Sequence, residues 1–180
     1  MVKYKGRNIS EFDKLEMRDY QRHVQMIFQD PYESLNPRFT TFDLVAEPLR
    51  ALGYGSKEKI ADRVMETLEE AGLDGQQYRN RYPHQMSGGE RQRVGIACAL
   101  ALKPEIVIAD EPLSMLDVSI RAGILDLIRD LSRKMNFSSI YVSHDLSILS
   151  NISDRLLIMY LGKVMEIGKS EDVIKDPQHP

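Results

Sequence analysis

The sequence predicts an α/β fold, a mostly parallel sheet interrupted by an inserted helical subdomain, and three observations predict it. Strand and helix patterns alternate on both flanks, from Val2 to Phe28 and again from Ile106 to Ile167. Residues 39–102 between them read almost entirely as helix. The run Ile106-Val107-Ile108-Ala109, set between Lys103-Pro104 and Asp110-Glu111, is apolar at every position, as in a parallel strand buried on both faces. The resulting division is an α/β core of residues 1–38 and 103–180 and a helical subdomain of residues 39–102.

The elements follow in order. Val2 to Ser10 reads as a strand end, a turn at Lys5-Gly6-Arg7-Asn8 and a short return. Asp13 to Gln21 is a short polar helix, and Val24, Met26 and Phe28 alternate as in a strand. Pro31, Ser34, Asn36 and Pro37 make Asp30 to Arg38 a surface loop. Thr40 or Thr41 caps a helix over Phe42 to Leu52, in which Pro48 predicts a kink or an early break. Ser56 caps a second helix to Ala71, with Ile60, Val64 and Leu68 at helical spacing and Gly72 as the stop. Gln76 to Arg81 is a short helical turn. Ser119 to Met135 is amphipathic through Ile120, Ile124, Leu127, Ile128 and Leu131, and Ser138 to Val142 is the next strand. Arg155 to Tyr160 and Val164 to Ile167 form a hairpin around Leu161-Gly162-Lys163, and Ser170 caps a last short helix.

Composition narrows the function. A 180-residue chain, 42% hydrophobic, can bury one sizeable core or one core and a small subdomain. Its formal net charge of -3 gives no global reason to bind nucleic acid. The single cysteine, Cys98, allows no internal disulfide and no cysteine-based zinc site. No run reaches the length of a membrane span.

The chemistry concentrates between Met86 and Glu111. Ser87 is a good helix N-cap, and Gly88 and Gly89 lack side chains, so the first-turn amides can approach an anion at the positive end of the helix dipole. The strand after that helix delivers Asp110 and Glu111 to its carboxyl end, where ligands gather in open α/β sheets. Each signal alone has an ordinary alternative. Ser-Gly-Gly is usually a plain cap or linker, Asp-Glu a solvated edge, and His144 structural; Gln29 alone signifies nothing, and the Arg91-Gln92-Arg93 cluster is most simply a solvated helix face, or helps position its helix if the family resemblance below holds.

Together these stretches resemble the nucleotide-binding domain of ATP-binding-cassette (ABC) transporters, a P-loop NTPase-like core. Met86-Ser87-Gly88-Gly89-Glu90 is similar to the family signature, Ile106 to Glu111 to its Walker B strand, and Ser114-Met115-Leu116-Asp117 to its D-loop. Gln29 matches the Q-loop glutamine and His144 the H-loop histidine. Phe28 to Arg38 and Asp176 to Pro180 resemble the ATPase subunits of oligopeptide and dipeptide importers. The resemblance implies ATP and Mg²⁺ as cofactors. Asp110 and Gln29 would attend the metal, Glu111 would polarise the attacking water, and His144 would bridge water and γ-phosphate. Ser87, Gly88, Gly89 and Glu90 would meet ATP held by an opposite subunit, with Asp117 across the seam. Partners would be a second ABC ATPase subunit and transmembrane permease subunits, on the cytoplasmic face of the membrane, with no nucleic acid.

The family's Walker A loop, Gly-x-x-x-x-Gly-Lys-Ser/Thr, has no match ahead of Gln29. Gly162 and Gly168-Lys169-Ser170 give its terminal triplet, but with five residues between the glycines and in a predicted hairpin. The expectation is therefore a core incomplete at the N-terminus, without the first strand, P-loop and adenine-stacking aromatic, and inactive alone. Alternatives are a natural subunit that lends its signature to a partner's P-loop, and a non-transport ABC protein acting on nucleic acid or the ribosome. Smaller departures from the family are Glu90 for the commoner glutamine, Cys98 for arginine and Met115 for alanine. Apolar surface left uncovered predicts self-association or marginal stability.

Overall fold

The computed structural model describes residues 1–178, so His179 and Pro180 of the importer-like terminal stretch lie outside the described residues. The chain forms two compact units, Met1–Ile140 and Tyr141–Pro180.

The first unit opens with an antiparallel pair, β1 (Lys3–Tyr4) and β2 (Arg7–Asn8), around Lys5 and Gly6, both at positive φ. Helix α1 (Lys14–His23) starts where it does because Asp13 accepts from the amides of Leu15 and Glu16 at 2.8 Å, while Glu16 accepts from Asp13 N at 3.1 Å. Strand β3 (Val24–Ile27) follows. The expected loop after it contains one helical turn, α2 (Pro31–Ser34), because Pro31 at its first position has its φ preset and needs no donor. Helix α3 (Thr41–Ala51) is capped by Thr40 and continues past Pro48. The expected early break does not occur there, since Pro48 lies in the last turns and Leu52 N still reaches its carbonyl at 3.1 Å. Helix α4 (Lys57–Glu70) is capped by Ser56, and α5 (Gly75–Tyr78) is a single turn capped by Asp74.

Helix α6 (Gly88–Leu100) touches β3, α2, α3, α4 and α7. Its surroundings correct the reading of Arg91-Gln92-Arg93 as a solvated face. Arg91 is 7% exposed and Gln92 1%, and Arg93 is half-buried. The guanidiniums find carbonyls instead of water: Arg91 Nη1 donates to Pro83 O and Arg93 Nη1 to Ala71 O, each at 2.8 Å. At the other end Arg63, 2% exposed, donates to Leu100 O at 2.9 Å and Ala101 O at 2.8 Å and pairs with Glu70. These bonds satisfy carbonyls a helix end leaves open. The apolar core of this region runs from Leu35 to Leu102 and includes Val45, Leu49, Val64, Leu68 and Val94, all 0% exposed. Each such side chain contributes about 1.5–3 kcal/mol on burial.

Strand β4 (Ile106–Asp110) pairs parallel with β3, Val24 against Ile106 through Ile27 against Ala109. Helix α7 (Val118–Met135) buries Ile124, Ile128 and Leu131 and ends on Asn136 in the left-handed region. Strand β5 (Ser138–Val142) completes the sheet order β3-β4-β5, and Ser138 N donates to Glu105 O at 2.9 Å.

In the second unit, α8 (Leu146–Ile152) is capped by Asp145, β6 (Arg155–Tyr160) pairs antiparallel with β7 (Lys163–Lys169), and α9 (Ser170–Lys175) closes the described chain. Gly162 occupies the hairpin turn and Gly168 lies in β7, so the terminal triplet resembling a P-loop is strand and helix start, as expected from its context. The hairpin exposes Leu157, Met159, Tyr160, Val164 and Ile167, each 49–61%.

Candidate functional site

Parallel pairing brings two of the candidate residues together. The β3–β4 register is offset by 82 residues, Ile27 opposite Ala109, and the same offset carried two residues further sets Gln29 opposite Glu111. Gln29 Nε2 donates to Glu111 Oε2 at 3.2 Å. Asp110 is the last residue of β4 and half-buried. Immediately after it Glu111 adopts φ +40, a region costly to a residue with a side chain and found disproportionately at functional sites. The turn is fastened by Ser114, whose N and Oγ both donate to Glu111 O, at 3.2 and 3.1 Å.

The Ser-Gly-Gly turn forms as expected. Ser87 Oγ accepts from Glu90 N at 3.3 Å, and Glu90 Oε2 accepts from Ser87 N at 2.7 Å, a reciprocal capping box. Gly88 and Gly89, the first two helical residues, have no carbonyl four positions back inside α6, so their amides face the turn. The two glycines differ in one respect the sequence does not show. A Cβ on Gly88 would meet Leu116 Cδ2 at an ordinary 3.6 Å, whereas one on Gly89 would meet Ile120 Cγ2 at 2.9 Å. Gly89 is thus required by the packing of α6 on α7. These contacts also set the signature turn beside Leu116-Asp117, where Asp117 is exposed and is the N-cap residue of α7, with no side-chain cap bond of its own.

Tyr78 and Arg81 were not among the sequence candidates. The Tyr78 hydroxyl donates to Glu90 Oε1, and the Arg81 guanidinium lies 4.3 Å from the Tyr78 ring centroid. The Tyr78 hydroxyl, and next the Ser87 backbone N–H, hold the Glu90 carboxyl below its ordinary value, and the same hydrogen bond raises the Tyr78 hydroxyl. No periodic or motif signal marks Tyr78; the sequence places it only in a short helical turn from Gln76 to Arg81. His144 lies in the second unit, between β5 and α8. Its neighbour Asp145 is held low chiefly by the Ser147 hydroxyl.

The donor set suits magnesium held mainly by a nucleotide. Among the described residues no group of three or more His, Cys, Asp or Glu forms a protein-only metal cage. Magnesium typically takes one or two protein oxygens and completes its shell with phosphate and water. Asp110 supplies a carboxylate, and Gln29, whose amide nitrogen is engaged by Glu111, retains its carbonyl oxygen.

The site is thus an α/β one, with Gln29 and Glu111 past the carboxyl ends of two parallel strands and a glycine turn opening a buried helix packed on α7. The family model described as ABC transporter matches residues 1–114, and the chain belongs to that family. It is 46% identical to the dipeptide transport ATP-binding protein DppF of Lactococcus lactis subsp. cremoris, over 99% of this chain and 57% of that protein. It is 44% identical to the oligopeptide transport ATP-binding protein OppF of Bacillus subtilis, over 99% of this chain and 59% of the relative. A putative peptide import ATP-binding protein of Brucella ovis is 43% identical over 99% of this chain and 56% of its own length. The chain therefore spans somewhat over half the length of these relatives. Among solved structures, the dimeric post-hydrolysis ATP-binding cassette MJ0796, bound to ADP and Pi, superposes with a TM-score of 0.78 at 29% identity, over 93% of this chain and 72% of that one. The fold is also that of cbiO1 from Clostridium perfringens, with a TM-score of 0.81 at 23% identity, over 92% of this chain and 64% of that one. No described helix is long and apolar enough to cross a membrane.

Proposed function

We propose that these residues belong to the ATP-hydrolysing subunit of a peptide importer, residues 1–38 and 103–180 forming its ATPase core and 39–102 the helical subdomain that carries the signature. The observation that carries this reading is the in-register contact of Gln29 with Glu111 at the carboxyl end of β3 and β4. Bound Mg²⁺ would neutralise charge on the transferring phosphoryl group. Asp110 and the Gln29 carbonyl would hold that ion, and the Gln29 amide, which donates to Glu111, would orient the carboxylate that polarises the attacking water. His144 would bridge the γ-phosphate and the attacking water. Ser87, Gly88 and Gly89 present donors to ATP on an opposite subunit, Glu90 completes that turn, and Asp117 lies across the seam. A second ATPase subunit and permease subunits at the cytoplasmic face of the membrane are the partners, and the identities to DppF and OppF support peptides as the solute class.

The 180 residues contain no Gly-x-x-x-x-Gly-Lys-Ser/Thr sequence, which supports the reading that by themselves they do not turn over ATP. The test has two arms. The chain alone shows no Mg²⁺-dependent ATPase; turnover abolished by Glu111→Gln would overturn that expectation. Preceded by a strand, a Walker A loop and a helix of an ABC ATPase, it gains turnover that Glu111→Gln lowers by about 10²-fold or more. ATP binding with turnover insensitive to Glu111→Gln would refute the role given to that residue.

A further inference from the structure

We propose that Tyr78, outside the signature, is a positioning residue for it: its hydroxyl, backed by Arg81, holds the Glu90 carboxylate against the N-cap and out of the turn formed by Ser87, Gly88 and Gly89. This rests on the reading of that turn as a phosphate contact.

The turn has a built-in competitor. Glu90 places a negative charge at the positive end of α6, the same end an incoming phosphate would occupy. One carboxylate oxygen is engaged by Ser87 N at 2.7 Å and the other by the Tyr78 hydroxyl. With both occupied, the amides of Gly88 and Gly89 stay available. Remove the Tyr78 hydroxyl, and the freed oxygen is no longer held away from those two first-turn amides, so the carboxylate competes with phosphate there and repels it.

The hydroxyl is delivered from a fixed support. Asp74 caps the turn of α5, accepting from Gln77 N through its side chain and from Tyr78 N through its carbonyl, both at 2.9 Å. A Cβ on Gly75 would stand 2.6 Å from Met65 Cε, so α5 lies directly on α4. Arg81 N returns to Tyr78 O at 2.9 Å, and its guanidinium covers the Tyr78 ring. Glutamine at position 90 would carry no charge to restrain, which separates this role from simple packing.

The experiment follows the amides of Ser87, Gly88, Gly89 and Glu90 in the full chain by NMR during titration with magnesium-free sodium triphosphate. Wild type shows saturable shifts at these amides; Tyr78→Phe weakens the apparent affinity about fivefold, and in a Glu90→Gln background the same change alters it by less than about 1.5-fold. Tyr78→Phe binding like wild type would overturn the proposal while leaving the phosphate reading intact. So would an equal loss in the Glu90→Gln background, which would make Tyr78 a packing residue only. Absence of shifts at the turn in both wild type and Glu90→Gln would remove the phosphate reading, and the proposal with it.

Discussion

Gly89→Ala tests whether the second signature glycine is needed by packing. The added methyl would lie 2.9 Å from Ile120 Cγ2, about half an ångström or more inside ordinary carbon–carbon contact. That atom sits on the branched β-carbon of Ile120, with few rotamers by which to retreat. Overpacking of this kind costs about 1–3 kcal/mol, and the helix propensity gained over glycine returns at most about 1 kcal/mol, less in the first turn. The net expectation is a loss of about 1–2 kcal/mol, read as a lower urea midpoint of the helical circular dichroism at unchanged slope. Ile120→Ala removes the opposing atom, so the double variant should lose about 1 kcal/mol less than the sum of the single losses. Gly88→Ala, with its nearest neighbour at 3.6 Å, should change stability by less than about 0.5 kcal/mol. Gly89→Ala as stable as wild type, or additive with Ile120→Ala, would refute the packing account.

Other expectations follow from single groups. Arg63→Met strips donors from Leu100 O and Ala101 O and leaves Glu70, 10% exposed, short of its buried partner; it should cost about 3 kcal/mol in urea unfolding, and a loss under about 1 kcal/mol would contradict the role given to Arg63. Glu90 has its carboxyl lowered in the folded chain, so the stability it contributes is complete above the ordinary value of 4.5 and is lost as pH falls through the lower folded value. Hydrogen-exchange protection at the start of α6 should decline over that acidic range and do so less in Glu90→Gln. Burial pushes the Cys98 thiol up to about 12, so little of this half-buried thiol is thiolate at pH 8 and a disulfide reagent should label it far more slowly than a free cysteine; labelling at the free rate would contradict the raised value. The exposed hairpin residues Leu157 and Met159 should make light scattering rise with concentration, and Leu157→Lys should reduce that rise.

Helix starts were legible because their signals are local. Thr40, Ser56 and Ser87 each cap the helix expected of them, since a side-chain oxygen needs only an amide two or three residues on, whereas Ser170, expected as a cap, is the first residue of α9 behind Lys169, its hydroxyl bonded instead to Ser153 O. The strands β3 and β4 were legible from pattern, but the contact of Gln29 with Glu111 needed their register, which links residues 82 positions apart. The burial of Arg91 and Gln92 was not legible. Charge along a sequence normally marks a solvated face, and the carbonyls that receive these groups come from turns elsewhere in the fold. Tyr78 escaped for the same reason: its importance lies in one hydroxyl meeting a carboxylate from another helix. Pro48 was read as a breaker because its missing donor is intrinsic, whereas its position near the end of α3 is what lets the helix absorb it.

The three arginines around α6 connect stability to the site. Arg91 ties the first turns of the helix to Pro83, just before the signature, and Arg93 ties the next turn to the end of α4 through Ala71. Arg63, from α4, holds the opposite end through Leu100 and Ala101. A helix fastened at both ends keeps its N-terminal amides in one orientation, which an anion-binding turn requires because their partial charges act only over the first turn. Gly89 then lets that end settle on Ile120, next to Leu116-Asp117, and β4 carries Asp110 and Glu111 into the same loop. A basic cluster that looks like solvent-facing charge therefore anchors the helix that opens at the Ser-Gly-Gly turn, its guanidiniums donating to the carbonyls of Pro83 and Ala71.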